Sequence, residues 1–247
     1  MSAQFFRPDW PAAAPVRAAM SLRGGGCSMA PFDSLNLGSH VGDDPVAVGR
    51  NRAQLRESLA LPGEPRWLQQ VHGAAVYQAG ADVPPTQPVA DAAVCREPGV
   101  VLAVMVADCL PVLFADRAGT VVAVAHAGWR GLAAGVLEAA VNAMGVPAET
   151  LVAWLGPAIS QRHFEVGDDV LEAFAVGDPG AGAAFVRNAR GRWQCDLPHL
   201  AHRRLLSLGI EAVSDCGMCT FERTSDCYSF RRDGRTGRMA ALLWLAR

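Results

Sequence analysis

The sequence has no apolar stretch long enough to cross a membrane without charges or turn residues. Its first twenty residues lack a charged region followed by an apolar one. A soluble, cytoplasmic protein with no membrane partner is expected. There is no basic excess: 22 Lys and Arg stand against 24 Asp and Glu, the formal net charge is -2, the pI is near 6.3, and the arginines are spread along the chain. This argues against nucleic acid as a partner, because binding it depends on neutralising phosphates. Repeats and low-complexity linkers are absent, so the 247 residues, 51% of them hydrophobic, are expected to form one domain, 1–247, around a large core. A disulfide framework is also missing, because seven cysteines in so long a chain are odd in number and sparse, which favours reduced thiols. Cys216 and Cys219 form a single CxxC with only Cys227 nearby, a weak structural-zinc signal better read as core thiols. Gly128, Gly131 and Gly135 do not make GxGxxG, which leaves little case for a Rossmann nucleotide module.

What is present centres on residues 100–135. Residues 100–106 are a continuous, β-branched-rich run suited to a strand buried on both faces, stopping at Ala107, Asp108 and Cys109 with Pro111 just beyond. Residues 121–125 are a second such run, ending at His126. Residues 116–120 between them read as a turn, so the two runs are expected to pair as neighbours and bring Cys109 and His126, both able to bind metal, into one region. A glycine turn through Trp129 and Arg130 then leads into a helix over residues 132–144 with Gly145 as its stop.

Around this centre, residues 16–22 predict a strand running into Arg23 and three glycines, whose loop is either an anion-binding set of amides or, the favoured reading, a flexible turn. Asp44 as N-cap and Pro45 at the first position open a helix to about residue 60, with Val46, Leu55 and Leu59 facing a core and Arg50, Arg52 and Arg56 in solvent. Residues 67–71 have strand character and place His72 at a turn with Gly73, while residues 91–95 and 151–155 read as strands. Helices are expected near residues 169–176 and from Asp196 to residue 208, the latter carrying His199 and His202 on an exposed face. Residues 227–245 read as a hairpin turning at Asp233 and Gly234, with Arg231, Arg232, Arg235 and Arg238 around one turn beside Ser229. That turn is either a solvated tip or a place where arginines face a phosphate.

The segments RGGGCS, SLNLG, the NR of the first helix, QQVHG, ADCLPVLF, VAHAGWRGL, GPAI, FEVG, CT and SFRRDGRTGRMA, in this order over nearly the whole chain, resemble the laccase-domain family. That family was once named for multicopper polyphenol oxidases and is now described as purine nucleoside phosphorylases with adenosine deaminase activity. Departures are small: Ala30 stands where the family usually has glycine, and Phe164 where it often has tyrosine.

The resemblance implies a mixed α/β fold, a four-layer α-β-β-α sandwich. It implies phosphorolysis of adenosine, inosine, guanosine and methylthioadenosine, deamination of adenosine, and a zinc site made by His72, Cys109 and His126. Two imidazoles and a thiolate suit zinc, and three protein ligands leave a fourth position for water or substrate. Arg23, Arg130 and one of Arg231 or Arg232 are candidates to hold phosphate, and Asp108 to act as general acid or base or to orient a ligand. Copper ranks lower, because the chain has six histidines and no His-x-His pair. Two rivals stay open: a thiol hydrolase with Cys109 as nucleophile and His126 or His72 as base, and a non-catalytic module in which zinc only holds the fold.

Overall fold

The computed structural model describes residues 2–246. Its elements in chain order are β1 (Phe5–Phe6), β2 (Val16–Ser21), α1 (Pro45–Leu59), β3 (Val76–Ala79), β4 (Ala92–Cys95), β5 (Leu102–Val106), β6 (Leu110–Asp116), β7 (Val122–Ala127), α2 (Trp129–Ala133), α3 (Val136–Met144), β8 (Leu151–Leu155), β9 (Glu165–Val166), α4 (Asp168–Ala175), β10 (Phe185–Arg187), β11 (Trp193–Cys195), α5 (Leu197–Ser207), β12 (Ala212–Asp215), α6 (Phe230–Asp233) and β13 (Met239–Leu245). They form a four-stranded sheet ordered β1-β2-β13-β5, a six-stranded sheet ordered β12-β8-β6-β7-β4-β3, and a small sheet ordered β10-β11-β9.

Strand periodicity explains why the central strands are apolar at nearly every position. Successive side chains point to opposite faces, and here both faces are covered. In β13, Met239, Ala241, Leu243 and Leu245 face the larger sheet, while Ala240, Leu242 and Trp244 face outward onto Leu55 and Leu59 of α1. In the larger sheet, Leu113, Val124 and Trp154 face the smaller one, and Val112, Phe114, Ala125 and Leu155 pack under α3 and α5. The layers therefore run α-β-β-α, as the resemblance implies. Leu113 and Phe114 have no exposed surface, so truncating either to alanine costs roughly 2–5 kcal/mol.

The pairing expected of the two central runs is not found. β5 lies beside β13 in the smaller sheet, whereas β7 pairs antiparallel with β6, Pro111 opposite His126, in the larger one. Pro111 does not end a strand; it is the second residue of β6, where its carbonyl accepts from the Gly156 N–H at 2.9 Å and no donor is needed. The chain passes from one sheet to the other at Asp108, a non-glycine residue at φ 90°.

At the far end of the β6–β7 hairpin, Asp116 accepts from Thr120 N (2.6 Å), Thr120 Oγ1 (2.8 Å) and Val121 N (2.9 Å). Burial works against its charge, but the Val121 N–H and the two Thr120 donors outweigh it and hold the carboxyl below its ordinary value of 3.8. A carboxyl depressed in this way adds stability that is complete above its unfolded pKa and is lost as pH falls through the lower folded one. Asp116→Asn, which keeps one accepting oxygen, is expected to cost roughly 1–2 kcal/mol at pH 7 and progressively less in acid. Thermal melts across pH check this; a deficit independent of pH would contradict it.

Other departures have local causes. The helix expected over 132–144 is two, broken at Gly135 with φ 90°. The hairpin expected at 227–245 is absent: Ser229 caps α6 by accepting from Arg232 N, and β13 pairs with β2 and β5 instead. Residues 67–71 form no strand; isolated bridges occur at Arg66, just before them, and at Gln69 within them. Val46 is exposed, and Arg52 is not in solvent but donates to Leu37 O and stacks on Trp67 at 4.1 Å. Asp44 and Pro45 open α1 as expected, and the described cysteines are free. No helix is long and apolar enough to cross a membrane.

Candidate active site

Three chain segments meet at one end of the larger sheet. Cys109 directly precedes β6, His126 lies near the end of β7, and the antiparallel register, which sets Leu110 opposite Ala127, brings them together. His72 comes from the loop before β3, which pairs parallel with β4, itself the neighbour of β7. His72 stands at φ 60°, so two residues of the site, His72 and Asp108, hold left-handed backbone that non-glycine residues rarely adopt. The ligand atoms of His72, Cys109 and His126 lie within 4.8 Å of one another, with Cys109 Sγ 3.8 Å from His72 Nε2.

The organising residue that sequence reasoning missed is Asp91, just before β4 and fully buried. Its Oδ1 meets His126 Nδ1 at 2.8 Å and accepts from His72 N at 2.9 Å, and its Oδ2 accepts from Val71 N (3.1 Å) and Gly73 N (2.7 Å). One carboxylate thus orients the ring of His126 and the loop that presents His72, leaving His126 Nε2 for the site. Its signal was an aspartate opening a strand that pairs with the strand bearing His126, which needs the pairing to be known.

These residues fit a metal ion. Gly128 follows β7 where any Cβ would stand 2.9 Å from both Cys109 Sγ and His72 Cδ2, so the backbone passes close to these two donors without crowding them. Burial opposes charge on Cys109, but His126 and then His72 outweigh it and bring the thiol down to about 6; burial likewise opposes charge on His126, but Cys109 and Asp91 raise it to about 9. A site that favours thiolate beside a protonated imidazole favours a cation there, and binding one would release the imidazole proton.

Two cavities flank the three donors. One, of about 270 Å³, is lined by Trp129, Arg130, Ile159, Phe164, Phe230 and Arg231 beside His72, Asp108 and Cys109. The other, of about 210 Å³, is lined by His40, Gln70, Met105 and Arg238 beside His72, Cys109 and His126. The chain contains no lysine, so any anion held by a fixed cation here is held by arginine. Arg130 stacks on Trp129 (4.4 Å), and Arg231 on Phe164 (5.2 Å) with Nη1 donating to Glu165 O (2.8 Å).

Not every expected residue arrives. Arg23 lies in a different cavity, with Gly24, Asp33, Ser34, Thr224 and Ser225, and is engaged by Asp33 at 3.0 Å. Arg232 is tied to Thr220 O, Phe221 O, Cys227 O and Asp233. Asp108 faces the first cavity, but its Oδ1 accepts from Thr220 Oγ1 and its Oδ2 from Arg231 N of α6, both at 2.6 Å, so each oxygen is engaged, one by the Thr220 segment and the other by α6. Arg238, expected only as one of the arginines around the turn, lines the second cavity with His40, which was not foreseen as a site residue. His199 and His202 are exposed, as expected.

Asp91→Asn is expected to lower zinc affinity about 10-fold to 100-fold. An amide N–H₂ facing His126 Nδ1 would shift the ring proton to Nε2, where it blocks coordination. Zinc titration of the metal-stripped variant reads this directly, and unchanged affinity would contradict it.

Residues 17–246 match the family described as multi-copper polyphenol oxidoreductase laccase. A purine nucleoside phosphorylase of Pseudomonas aeruginosa is 54% identical over 239 residues, covering 96% of this chain and 97% of that one. The purine nucleoside phosphorylase YfiH of Escherichia coli is 48% identical over 238 residues, covering 96% and 97%. A crystal structure of a Neisseria meningitidis protein is similar with a TM-score of 0.94 at 47% identity, covering 99% of this chain and 100% of that chain.

Proposed function

This chain belongs to the multi-copper polyphenol oxidoreductase laccase family, and on that premise we propose that it is a zinc-dependent purine nucleoside phosphorylase that also deaminates adenosine. Its substrates are adenosine, inosine, guanosine and methylthioadenosine, with phosphate as co-substrate. The observation that carries this reading is the meeting of His72, Cys109 and His126 with an aromatic cavity that also bears two arginines.

The faces of Trp129, Phe164 and Phe230 suit a purine ring, which binds by stacking. Arg231 and Arg130 line the same cavity, and either would bind a phosphate there by charge-assisted hydrogen bonds. Held there, a phosphate oxygen forms the bond to ribose C1′ as the C1′–N9 bond breaks, and the base leaves with the bonding electrons. Asp108 accepts from Arg231 N and so would hold the N-terminal turn of α6, which carries Arg231, in place beside the bound sugar. His72, Cys109 and His126 would hold zinc, which when bound supplies the Lewis acidity that activates water at neutral pH for deamination. Copper is the alternative that the family description raises. Two histidines at the site and no His-x-His in the chain do not furnish a multicopper centre, and the donor set suits zinc.

With purified protein and adenosine or inosine, release of free base is expected to require phosphate, whereas conversion of adenosine to inosine is not. Base release at an undiminished rate in phosphate-free buffer would mean hydrolysis and overturn the phosphorylase reading. The lowered thiol of Cys109 beside His126 supports a second reading, a thiol hydrolase. That enzyme would keep its activity in chelator.

A further inference from the structure

Among the described residues, one other group of metal-type donors converges: His163, Cys219 and Glu222, with ligand atoms within 4.8 Å of one another. They come from two segments clamped side by side. Ala158 bridges Cys219, Ala158 N donates to Met218 O at 3.2 Å, and Thr220 N donates to Ala158 O at 3.0 Å. Neighbouring residues of this clamp serve opposite sides. Ile159 lines the active-site cavity and Thr220 bonds Asp108, whereas Ser160 and Cys219 line a separate cavity of about 600 Å³.

The donors are held before any ligand arrives. The ring of His163 lies against Phe221 with centroids 4.3 Å apart and planes 12° from parallel, and its Nε2 is 2.9 Å from Glu222 Oε1. Cys219 Sγ accepts from Ser160 N at 3.4 Å. Among the described residues, the arginine paired with Glu222 is Arg162, at 3.5 Å on an 81% exposed side chain, a weak competitor.

A second observation is independent of the donors. In the same cavity, Ser160 Oγ and Gln194 Oε1 are buried without a hydrogen-bond partner, an uncommon condition for native side chains. Both are groups that a water or small ligand on a bound ion would satisfy.

We propose that His163, Cys219 and Glu222 form a second site for a divalent, borderline-soft transition ion, zinc foremost, with its fourth position open to the cavity that holds Ser160 and Gln194. Imidazole, thiolate and carboxylate are the donor types of open zinc sites. An ion there would join residues 158–163 to residues 218–222 and so steady Thr220, which holds Asp108 and, through it, α6. Nothing in this proposal depends on the reaction assigned to the first site.

The test uses the full chain with Cys109→Ala, which disables the first site, stripped of metal and titrated with Co²⁺. The expected result is about one bound cobalt per chain with a thiolate-to-cobalt charge-transfer band. Both should vanish on adding Cys219→Ala and persist on adding Cys216→Ala. Adding Glu222→Gln or His163→Gln should weaken binding at least about tenfold. Neither of these side chains is buried, His163 being 24% and Glu222 46% exposed, so they keep the test decisive even if Cys219→Ala does not fold. Absence of uptake, or uptake indifferent to His163, Cys219 and Glu222, would overturn the proposal.

Discussion

Cys109→Ala is expected to lose about one zinc per chain and on the order of 10³-fold or more of nucleoside turnover while melting close to the parent protein. Turnover should collapse because the thiolate is the one anionic donor of the three, and two imidazoles alone hold zinc poorly. The fold should survive because its four layers are joined by apolar faces that do not involve Cys109, and because alanine keeps the Cβ of a residue that is only half buried. Elemental analysis, a turnover assay and a thermal melt on the same preparation decide the matter. Full zinc content in the variant would sink the ligand assignment. Loss of the fold along with the metal would favour the module in which zinc is only structural. Parent protein that stays active in chelator would leave Cys109 as a nucleophile.

The second large effect separates two adjacent arginines that the sequence presents as equals. Arg231→Ala is expected to raise the Michaelis constant for phosphate about 10-fold to 100-fold, because a charge-assisted hydrogen bond to a phosphate oxygen is worth roughly 1.5–3 kcal/mol. Stability should change little, since Arg231 is exposed at the cavity wall. Arg232→Ala should do the reverse. Its guanidinium serves Thr220 O, Phe221 O and Cys227 O at 3.0, 2.9 and 2.9 Å, and removing it leaves those carbonyls unpaired. A loss of roughly 2–4 kcal/mol is expected, seen as a Tm lower by several degrees, with the phosphate constant near the parent value. Phosphate titration at saturating inosine, with zinc content checked first, reads both variants. If neither alters phosphate use, the anion is to be sought at Arg130 or at Arg238 of the second cavity.

The two arginines diverge for a reason the sequence expectation had partly wrong. In the hairpin that the sequence suggests, strand alternation would part the two side chains, whereas the segment is helical, started by the Ser229 cap. Successive helical residues also point in different directions, so only one of the pair reaches the cavity. The cap was visible in the sequence as a serine before a short polar run. It competed with Asp233 and Gly234, which read as a hairpin turn and serve instead as the end of α6.

By itself the sequence determined what is written within a few residues of chain. It encoded the strands buried on both faces, the Asp44–Pro45 and Asp196 helix starts, and the placement of Cys109 and His126 at strand ends, because capping and side-chain periodicity are local. Tertiary structure alone decided which strands pair, and with that the site. β5 and β7 are equally apolar, and nothing local says that they belong to different sheets. Asp91 became the partner of His126 only once β4 lay beside β7. Arg23, equally eligible by charge, was drawn to Asp33 instead. His163, Cys219 and Glu222 are brought together by the bridge between Ala158 and Cys219, 61 positions apart in number. Pairing and the choice of which side chain enters a cavity depend on contacts between distant segments, and their energies exist only after the layers have packed.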